Sequence, residues 1–229
     1  MNEPVDDPLK PLDQVLEPDI RSTTMGMYDP GTGIRKETLE DHHAEIARVT
    51  LNESAPLAVR QLFENAKNLV LYSWFFYRFH QSAELSGFGA LEMALREKAK
   101  KSAAEWWSNN SKKHMPSMKK LFEKAKNDGW IRNEEFSAWR QRQQQAAYDR
   151  RVEELSQKMI EEGVSEIELP HREEFEGIIG DETFDYLEIL LKTIPPIRNN
   201  LAHGAQTLHP DSLDRLKLCA EIINQLFPD

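Results

Sequence analysis

The chain has 229 residues, enough for one large domain or one domain with an added arm. Charged side chains make up 30% of it and its mean hydropathy is −0.65, which excludes a protein built from membrane spans and predicts a soluble one. A single cysteine, Cys219, excludes an internal disulfide framework and a cysteine metal cluster, so we expect a plain buried thiol and a cytoplasmic protein.

The charge is unevenly distributed along the chain. Its net value is −10, which by itself argues against nucleic acid as a partner. Residues 1–59 carry a net charge of −7, residues 60–130 carry +6, and residues 131–229 carry −9. A phosphate chain responds to the local potential, so an acidic protein can still present a basic face. The alternative is that the basic segment REKAKK, residues 96–101, is only a solvated helix face.

Residues 1–53 are predicted to form a loop-rich N-terminal extension, because proline, aspartate, glycine and threonine accumulate there. Ser54 and Pro56 then give a helix-start signal. We therefore place a helical domain at residues 54–229.

Two long helices are predicted after this start, broken either near Trp74 or near Gly87 and Gly89. Aromatic side chains are denser here than one buried stripe requires, which indicates burial on most sides or a subunit interface. These side chains are Tyr72, Trp74, Phe75, Phe76, Tyr77 and Phe79. His80 and Glu84 lie four residues apart, and we expect a hydrogen bond in the core, with a place in the wall of a site as the alternative.

The middle of the chain predicts a short helix and then an insertion. Residues 116–131 show apolar side chains at helical spacing, and Gly129 is placed to stop the helix. Residues 132–180 have high helical propensity but few apolar positions, which indicates a polar insertion packed through one narrow face.

Two further helices complete the chain. Residues 181–194 show a helical apolar pattern, and Pro195 with Pro196 is expected to break or kink that helix. Asp211 or Ser212 is expected to cap the last helix. No convincing alternation of apolar and polar residues predicts a pair of strands, so the fold class is all-α.

The stretch PPIRNNLAHG, residues 195–204, brings together side chains suited to cleaving RNA without a metal. A histidine, here His203, can take or give a proton near neutral pH. A guanidinium, here Arg198, can bind a phosphate with two parallel hydrogen bonds, and the amide of Asn199 can orient either group. On one helix Asn199 and His203 share a face, whereas Arg198 lies about 140° around the helix axis from His203. A second copy of the helix, related by a two-fold axis, would bring an arginine and a histidine closer together.

Taken by itself, this spacing also suits a helix-start arginine paired with a carboxylate and a histidine that caps the helix. The arrangement Arg-Asn-x-x-x-His-Gly, with an amphipathic helix before it and a capped helix after it, resembles the HEPN superfamily (higher eukaryotes and prokaryotes nucleotide-binding). The resemblance covers roughly residues 56–131 and 181–227. The insertion, the N-terminal extension and the two prolines before the motif depart from the compact pattern.

The resemblance implies a HEPN-like helical bundle that pairs as a homodimer and brings Arg198 and His203 of two chains into one groove. It implies a metal-independent endoribonuclease in which Arg198 binds phosphate, His203 is general base or acid, and Asn199 supports them. No metal and no cofactor are expected. Members of the superfamily also act as toxins or defence proteins. The resemblance therefore implies RNA as one partner and an antitoxin or another protein as a possible second partner.

Two alternatives stay open. In one, the bundle is a non-catalytic module that binds RNA, nucleotide or protein; in the other, it is half of a two-protein toxin–antitoxin or defence system. The tryptophans at 106 and 107 could stack on bases, although burial in the bundle or dimer is favoured. Candidate RNA-binding residues are Asn200, Arg96, Lys100 and Lys101.

Overall fold

The computed structural model describes residues 7–24, 26–29, 31, 33–204 and 209–229. Positions 1–6, 25, 30 and 32 of the predicted N-terminal extension lie outside the described residues. The chain divides into two compact units, Met1–Ala94 with Arg198–Asp229 and Leu95–Ile197. Helices dominate the described part of both units, so the all-α fold class predicted from the sequence is confirmed.

The helices follow one another in this order: α1 Ile20–Thr23, α2 Leu39–Ala47, α3 Leu57–Ser73, α4 Phe79–Ser102, α5 Ala104–Ser111, α6 Met118–Asn127, α7 Ser137–Glu162, α8 Tyr186–Ala202 and α9 Ser212–Leu226. Short 3-10 turns occupy Leu12–Gln14, Asn133–Glu135 and Arg172–Phe175.

One β-hairpin interrupts this helical order, and here the expectation of no strand pairs is wrong. Strands β1 (Gly26–Asp29) and β2 (Gly33–Lys36) pair antiparallel, with Tyr28 opposite Ile34. Gly33 has a φ of 82°, which a glycine adopts without steric cost. Each strand has four residues, which is too short for an alternation of apolar and polar side chains to identify it. The signal for the hairpin was therefore the turn residues between the strands.

The core of the first unit forms where α3 packs against α9. The buried stripe of α3 recurs every three or four residues, as an amphipathic helix requires. It consists of Val59, Phe63, Ala66 and Val70. The facing side chains of α9 include Leu216, Cys219, Ile222, Ile223 and Leu226, all at most 1% exposed.

The break between the two long helices lies at Trp74, which is one of the two positions predicted from the sequence. Helix α3 ends at Ser73 and α4 begins at Phe79, whereas Gly87 and Gly89 lie inside α4. A Cβ atom added at Gly87 would lie 2.9 Å from Cδ1 of a leucine in α9. The glycine therefore serves close packing of two helices rather than a break.

Residues 7–23 attach to the α3–α4 connection through a charged cluster. Arg21 donates to both carboxylate oxygens of Asp19, each at 2.8 Å, and also to Asp7 at 2.8 Å. Arg78 donates to the same Asp7 at 2.7 Å. The hydrogen bond from Arg21 is the main reason that the pKa of Asp19 falls from its usual value to about 2.

The same N-terminal segment accounts for part of the aromatic excess around the break. A groove of about 330 Å³ has apolar side chains of the segment on one wall and aromatic rings on the other. Trp74 and Tyr77 are themselves buried. The groove is lined by Leu9, Lys10, Val15, Leu16, Tyr72, Phe75, Phe76 and Phe79.

The second unit contains the predicted short helix and the polar insertion. Helix α6 ends at Asn127, and Gly129 follows with a φ of 68°, so the predicted stop is confirmed. Helix α7 forms most of the insertion, and of its 26 residues Gln143 and Ala147 are buried. The Gln143 amide exchanges two hydrogen bonds with the backbone of Asp181, at 2.9 and 2.7 Å, which fixes the segment that returns toward α8.

The sequence predicted a break or a kink at Pro195 and Pro196. Helix α8 continues through both prolines, so the break is wrong, and the kink stays a prediction. A proline inside a helix removes a backbone donor and crowds the preceding turn. Here Ile194 and Pro195 are buried, and their packing offsets the lost hydrogen bonds. The helix consequently carries its register unbroken to Arg198.

Candidate functional site

The C-terminal end of α8 presents the predicted motif. The helix ends at Ala202, and the next residue, His203, still donates its backbone N–H to the carbonyl of Asn199 at 3.0 Å. Gly204 follows with a φ of 84°, a left-handed conformation that ends helices and favours glycine. The glycine after the histidine therefore explains where the helix stops and why His203 lies at its end.

Arg198 is held by a buried carboxylate. Its Nη2 atom lies 2.8 Å from Oε2 of Glu92, whose side chain is 9% exposed, while 33% of the Arg198 side chain remains exposed. Nη1 donates to Oδ1 of Asn199 at a long 3.4 Å. The buried Nε has no hydrogen-bond partner in the described part of the chain. A guanidinium has five N–H donors, so Arg198 keeps donors for a further anion.

Glu92 is the residue of this site that sequence reasoning missed. The spacing of four residues on one helix predicts a pair with Arg96. The structure shows a pair with Arg198, more than a hundred positions away in the sequence, because α4 and the end of α8 meet in the first unit. Helical spacing predicts neighbours within one helix, and no signal in a single sequence indicates this contact.

His203 presents its ring to solvent. The residue is exposed, and the imidazole makes no hydrogen bond to any residue that the structure describes. Asn199 and Asn200 are exposed as well. The end of α8 thus combines a fixed arginine with a histidine that a substrate can reach. Five residues along a helix amount to about 7.5 Å of rise and about 140° of rotation, so Arg198 and His203 leave the helix in different directions.

The other predicted RNA-binding residues belong to the second unit. Lys101 is exposed, Arg96 is half-buried, and Lys100 pairs with Glu97 at 2.6 Å. Lys100 also lies over the ring of Trp107, with 5.4 Å from Nζ to the ring centroid. Basic side chains and an aromatic ring therefore meet in one place within this unit.

A buried histidine occupies the first unit apart from the motif. Nδ1 of His80 lies 2.6 Å from the hydroxyl oxygen of Ser212, and both residues are buried, so the predicted core hydrogen bond is confirmed with a partner not anticipated. Burial lowers the pKa of His80 to about 4. Burial likewise raises the pKa of Glu84. Asp211 takes the N-cap position of α9 without a capping hydrogen bond from its side chain.

Metal and thiol chemistry find little support in the described residues. No group of three or more histidine, cysteine, aspartate or glutamate side chains is placed to hold a metal ion among them. Cys219 is a buried free thiol, and burial raises its pKa. Over the same residues, no helix combines the length and the apolar character that crossing a membrane requires.

Comparison with known proteins gives no match: neither a family model, nor a curated protein, nor a solved structure resembles the chain significantly. The resemblance to the HEPN superfamily therefore stays a prediction, which depends on the motif at Arg198–His203 and on the order of the helices around it.

Proposed function

We propose that the protein is a metal-independent endoribonuclease of HEPN type. The observation that supports this most is the end of α8, where His203 is exposed while Arg198 is fixed by Glu92 and still one-third exposed. A site for phosphoryl transfer needs both a proton carrier open to substrate and a cation held in place.

The chemistry requires no water or metal in the first step. His203 removes the proton from a 2′-hydroxyl, and the resulting oxygen attacks the adjacent phosphorus. The bond from phosphorus to the 5′-oxygen breaks, and that oxygen takes up a proton from the imidazolium that His203 has become. The products carry a 2′,3′-cyclic phosphate and a 5′-hydroxyl. Arg198 binds the non-bridging oxygens, where negative charge increases in the transition state, and Asn199 supports it.

One chain is not expected to complete this site. Arg198 and His203 are separated by about 140° around the helix, so a single helix end does not direct both at one phosphate. A second copy related by a two-fold axis supplies the missing group from the opposite side. We therefore propose a homodimer in which the α8 ends of two chains share one groove.

Glu92 acts as a positioning residue in this scheme. Its carboxylate engages Nη2 of Arg198 and limits the rotamers of a side chain that is otherwise flexible. A planar guanidinium held at one edge still offers donors at another edge to a phosphate. The arginine is thus oriented before substrate arrives, which lowers the entropic cost of binding.

The same ion pair favours a second candidate, a non-catalytic module that binds RNA or protein. A carboxylate already balances the charge of Arg198, as a structural arginine requires. In that case the exposed residues at the end of α8 serve contact with a partner. Cleavage activity separates the two candidates directly.

The test is incubation of the purified protein with a mixed pool of single-stranded and transfer RNA in EDTA. We expect cleavage by the parent chain and a loss of about 10²–10⁴-fold in rate for His203→Ala. His43→Ala is the matched control, because His43, in α2, is also an exposed histidine. Both variants should melt within about 2 °C of the parent, since exposed side chains contribute little to stability. Equal cleavage by His203→Ala, or none by the parent, would overturn the proposal.

A further inference from the structure

A basic surface with three tryptophans lies in the second unit. We call it the Lys–Trp surface; it comprises residues 96–130, from the end of α4 through α5 and α6 to Trp130. This stretch has ten lysine and arginine residues against four aspartate and glutamate residues, a net charge of +6 in a chain of net charge −10. A concentration of positive charge on one segment of a protein whose net charge is negative indicates an anionic partner.

Each tryptophan of the surface has a lysine over its ring. Nζ of Lys100 lies 5.4 Å from the ring centroid of Trp107, and Nζ of Lys124 lies 5.8 Å from that of Trp106. Helix α5, which carries both rings, thus has the end of α4 on one side and α6 on the other. The third ring, Trp130, has Nζ of a lysine in α4 at 6.0 Å. All three indoles are only partly buried.

Part of the positive charge on this surface is left uncompensated. Some of its lysines pair with nearby carboxylates, as Lys100 does with Glu97. The exposed lysines at 101, 113 and 120 pair with no carboxylate among the residues that the structure describes. The like charges also affect Lys98: burial lowers its pKa, and the positive charge of the neighbouring Lys101 lowers it further.

We propose that the Lys–Trp surface binds single-stranded RNA, with phosphates at the lysines and bases stacked on the indoles. Aromatic rings interleaved with cations are the recurring means of binding a single strand without sequence preference. A duplex keeps the faces of its bases stacked inside, so it offers the tryptophans no face to stack on. The inference names a docking surface for the substrate class of the proposed endoribonuclease and rests on that function for its biological meaning.

The lysines are tested by charge reversal in a His203→Ala background, so that binding is measured without cleavage. The probe is a 20-nucleotide oligouridine with a fluorescent 5′ label, followed by anisotropy over a salt titration. The site variant combines Lys101→Glu, Lys113→Glu and Lys120→Glu. The control variant makes the same change in charge on other exposed positions: Arg151→Glu, Lys158→Glu and Lys217→Glu.

We expect the site variant to lose about 100-fold in affinity and the control less than about threefold. Each phosphate contact to a single strand adds about 0.7 to the slope of log affinity against log salt, so the slope should fall by about 2 in the site variant. All six positions are on the surface, and the melting temperatures of both variants are checked against the parent. An equal loss in both variants would contradict the proposal, because binding would then follow net charge alone.

The tryptophans are tested by comparing Trp107→Ala with Trp107→Phe. Stacking on one ring is worth about 5- to 150-fold in affinity, so alanine should weaken binding by that factor while phenylalanine retains most of it. An unlabelled duplex of the same length should compete much less well than the single strand. If the duplex competes equally, or if Trp107→Ala binds as the parent does, base stacking is excluded.

Failure of this proposal is distinguishable from failure of the proposed function. A parent chain that binds oligouridine but cleaves no RNA refutes the endoribonuclease and leaves the docking surface intact. A parent chain that cleaves RNA, with the site variant cleaving and binding as the parent does, refutes the docking surface alone. Absence of binding at any salt concentration also refutes it.

Discussion

The ion pair between Glu92 and Arg198 gives a stability prediction that can be worked from the structure. A hydrogen bond to a charged group contributes about 1.5–3 kcal/mol, and the 9% exposure of the Glu92 side chain favours the upper part of that range. The 33% exposure of Arg198 lets solvent screen the pair, which reduces the expected coupling to about 1.5 kcal/mol. Glu92→Gln, Arg198→Met and the double variant form a double-mutant cycle that isolates this energy.

Urea unfolding at pH 7, followed by circular dichroism, measures the free energy of unfolding for each member of the cycle. The matched control is the exposed pair of Arg151 and Glu154 in α7, at 3.1 Å, for which we expect a coupling below about 0.5 kcal/mol. In the cleavage assay Glu92→Gln should slow the reaction about tenfold, less than the loss of the histidine does. A coupling for Glu92 and Arg198 no larger than that of the control pair would refute the reasoning.

Three other outcomes follow from buried positions. The folded-state pKa of His80, about 4, lies below the usual 6.5, so the unfolded chain binds the extra proton and stability should fall by about 3 kcal/mol as the pH drops from about 6.5 to 4. In melting curves across that pH range, His80→Gln should reduce this loss of stability. The control His114→Gln, at an exposed histidine, should leave the loss unchanged. A Cβ added at Gly180 would clash with the backbone nitrogen of Ala147 in α7, so Gly180→Ala should cost about 2 kcal/mol or more and speed hydrogen exchange around it. Gly177→Ala meets open space and should cost only about 1 kcal/mol for its φ of 78°; equal effects of the two variants would exclude the clash. Cys219 should resist iodoacetamide in the folded protein and react on unfolding, and rapid native labelling would contradict its burial.

Local patterns predicted most of the helices. The spacing of Leu121, Phe122 and Ala125 with a stop at Gly129 was enough to place α6, because one amphipathic face and one left-handed glycine determine a short helix. The same local rules failed at the paired prolines of α8. The penalty of a proline is local, but the packing that offsets it comes from residues elsewhere in the chain, and it is not visible in a ten-residue window.

The motif of the candidate site could be proposed from the sequence, whereas the carboxylate that holds its arginine could not. Residue types and spacing predict Arg198 and His203 as candidates, since phosphate binding and proton transfer need those groups. The partner of the arginine, Glu92, lies on another helix, and a single sequence gives no information on pairs so distant. Trp106 and Trp107 are only partly buried in the single chain, and the sequence could not indicate this, because whether a neighbouring helix covers a ring depends on tertiary packing.

The central claim is cleavage by attack of the 2′-hydroxyl at a site that contains His203, and one substrate pair tests it most directly. After the cleavage site in an RNA is mapped, the same oligonucleotide is made with a 2′-deoxy nucleotide on the 5′ side of the scissile phosphate, and both are incubated with the protein in EDTA. The account predicts that the all-RNA substrate yields a 2′,3′-cyclic phosphate and a 5′-hydroxyl, and that the substituted bond stays intact. Cleavage of the deoxy-substituted bond, 5′-phosphate products, or no cleavage of any RNA would contradict it.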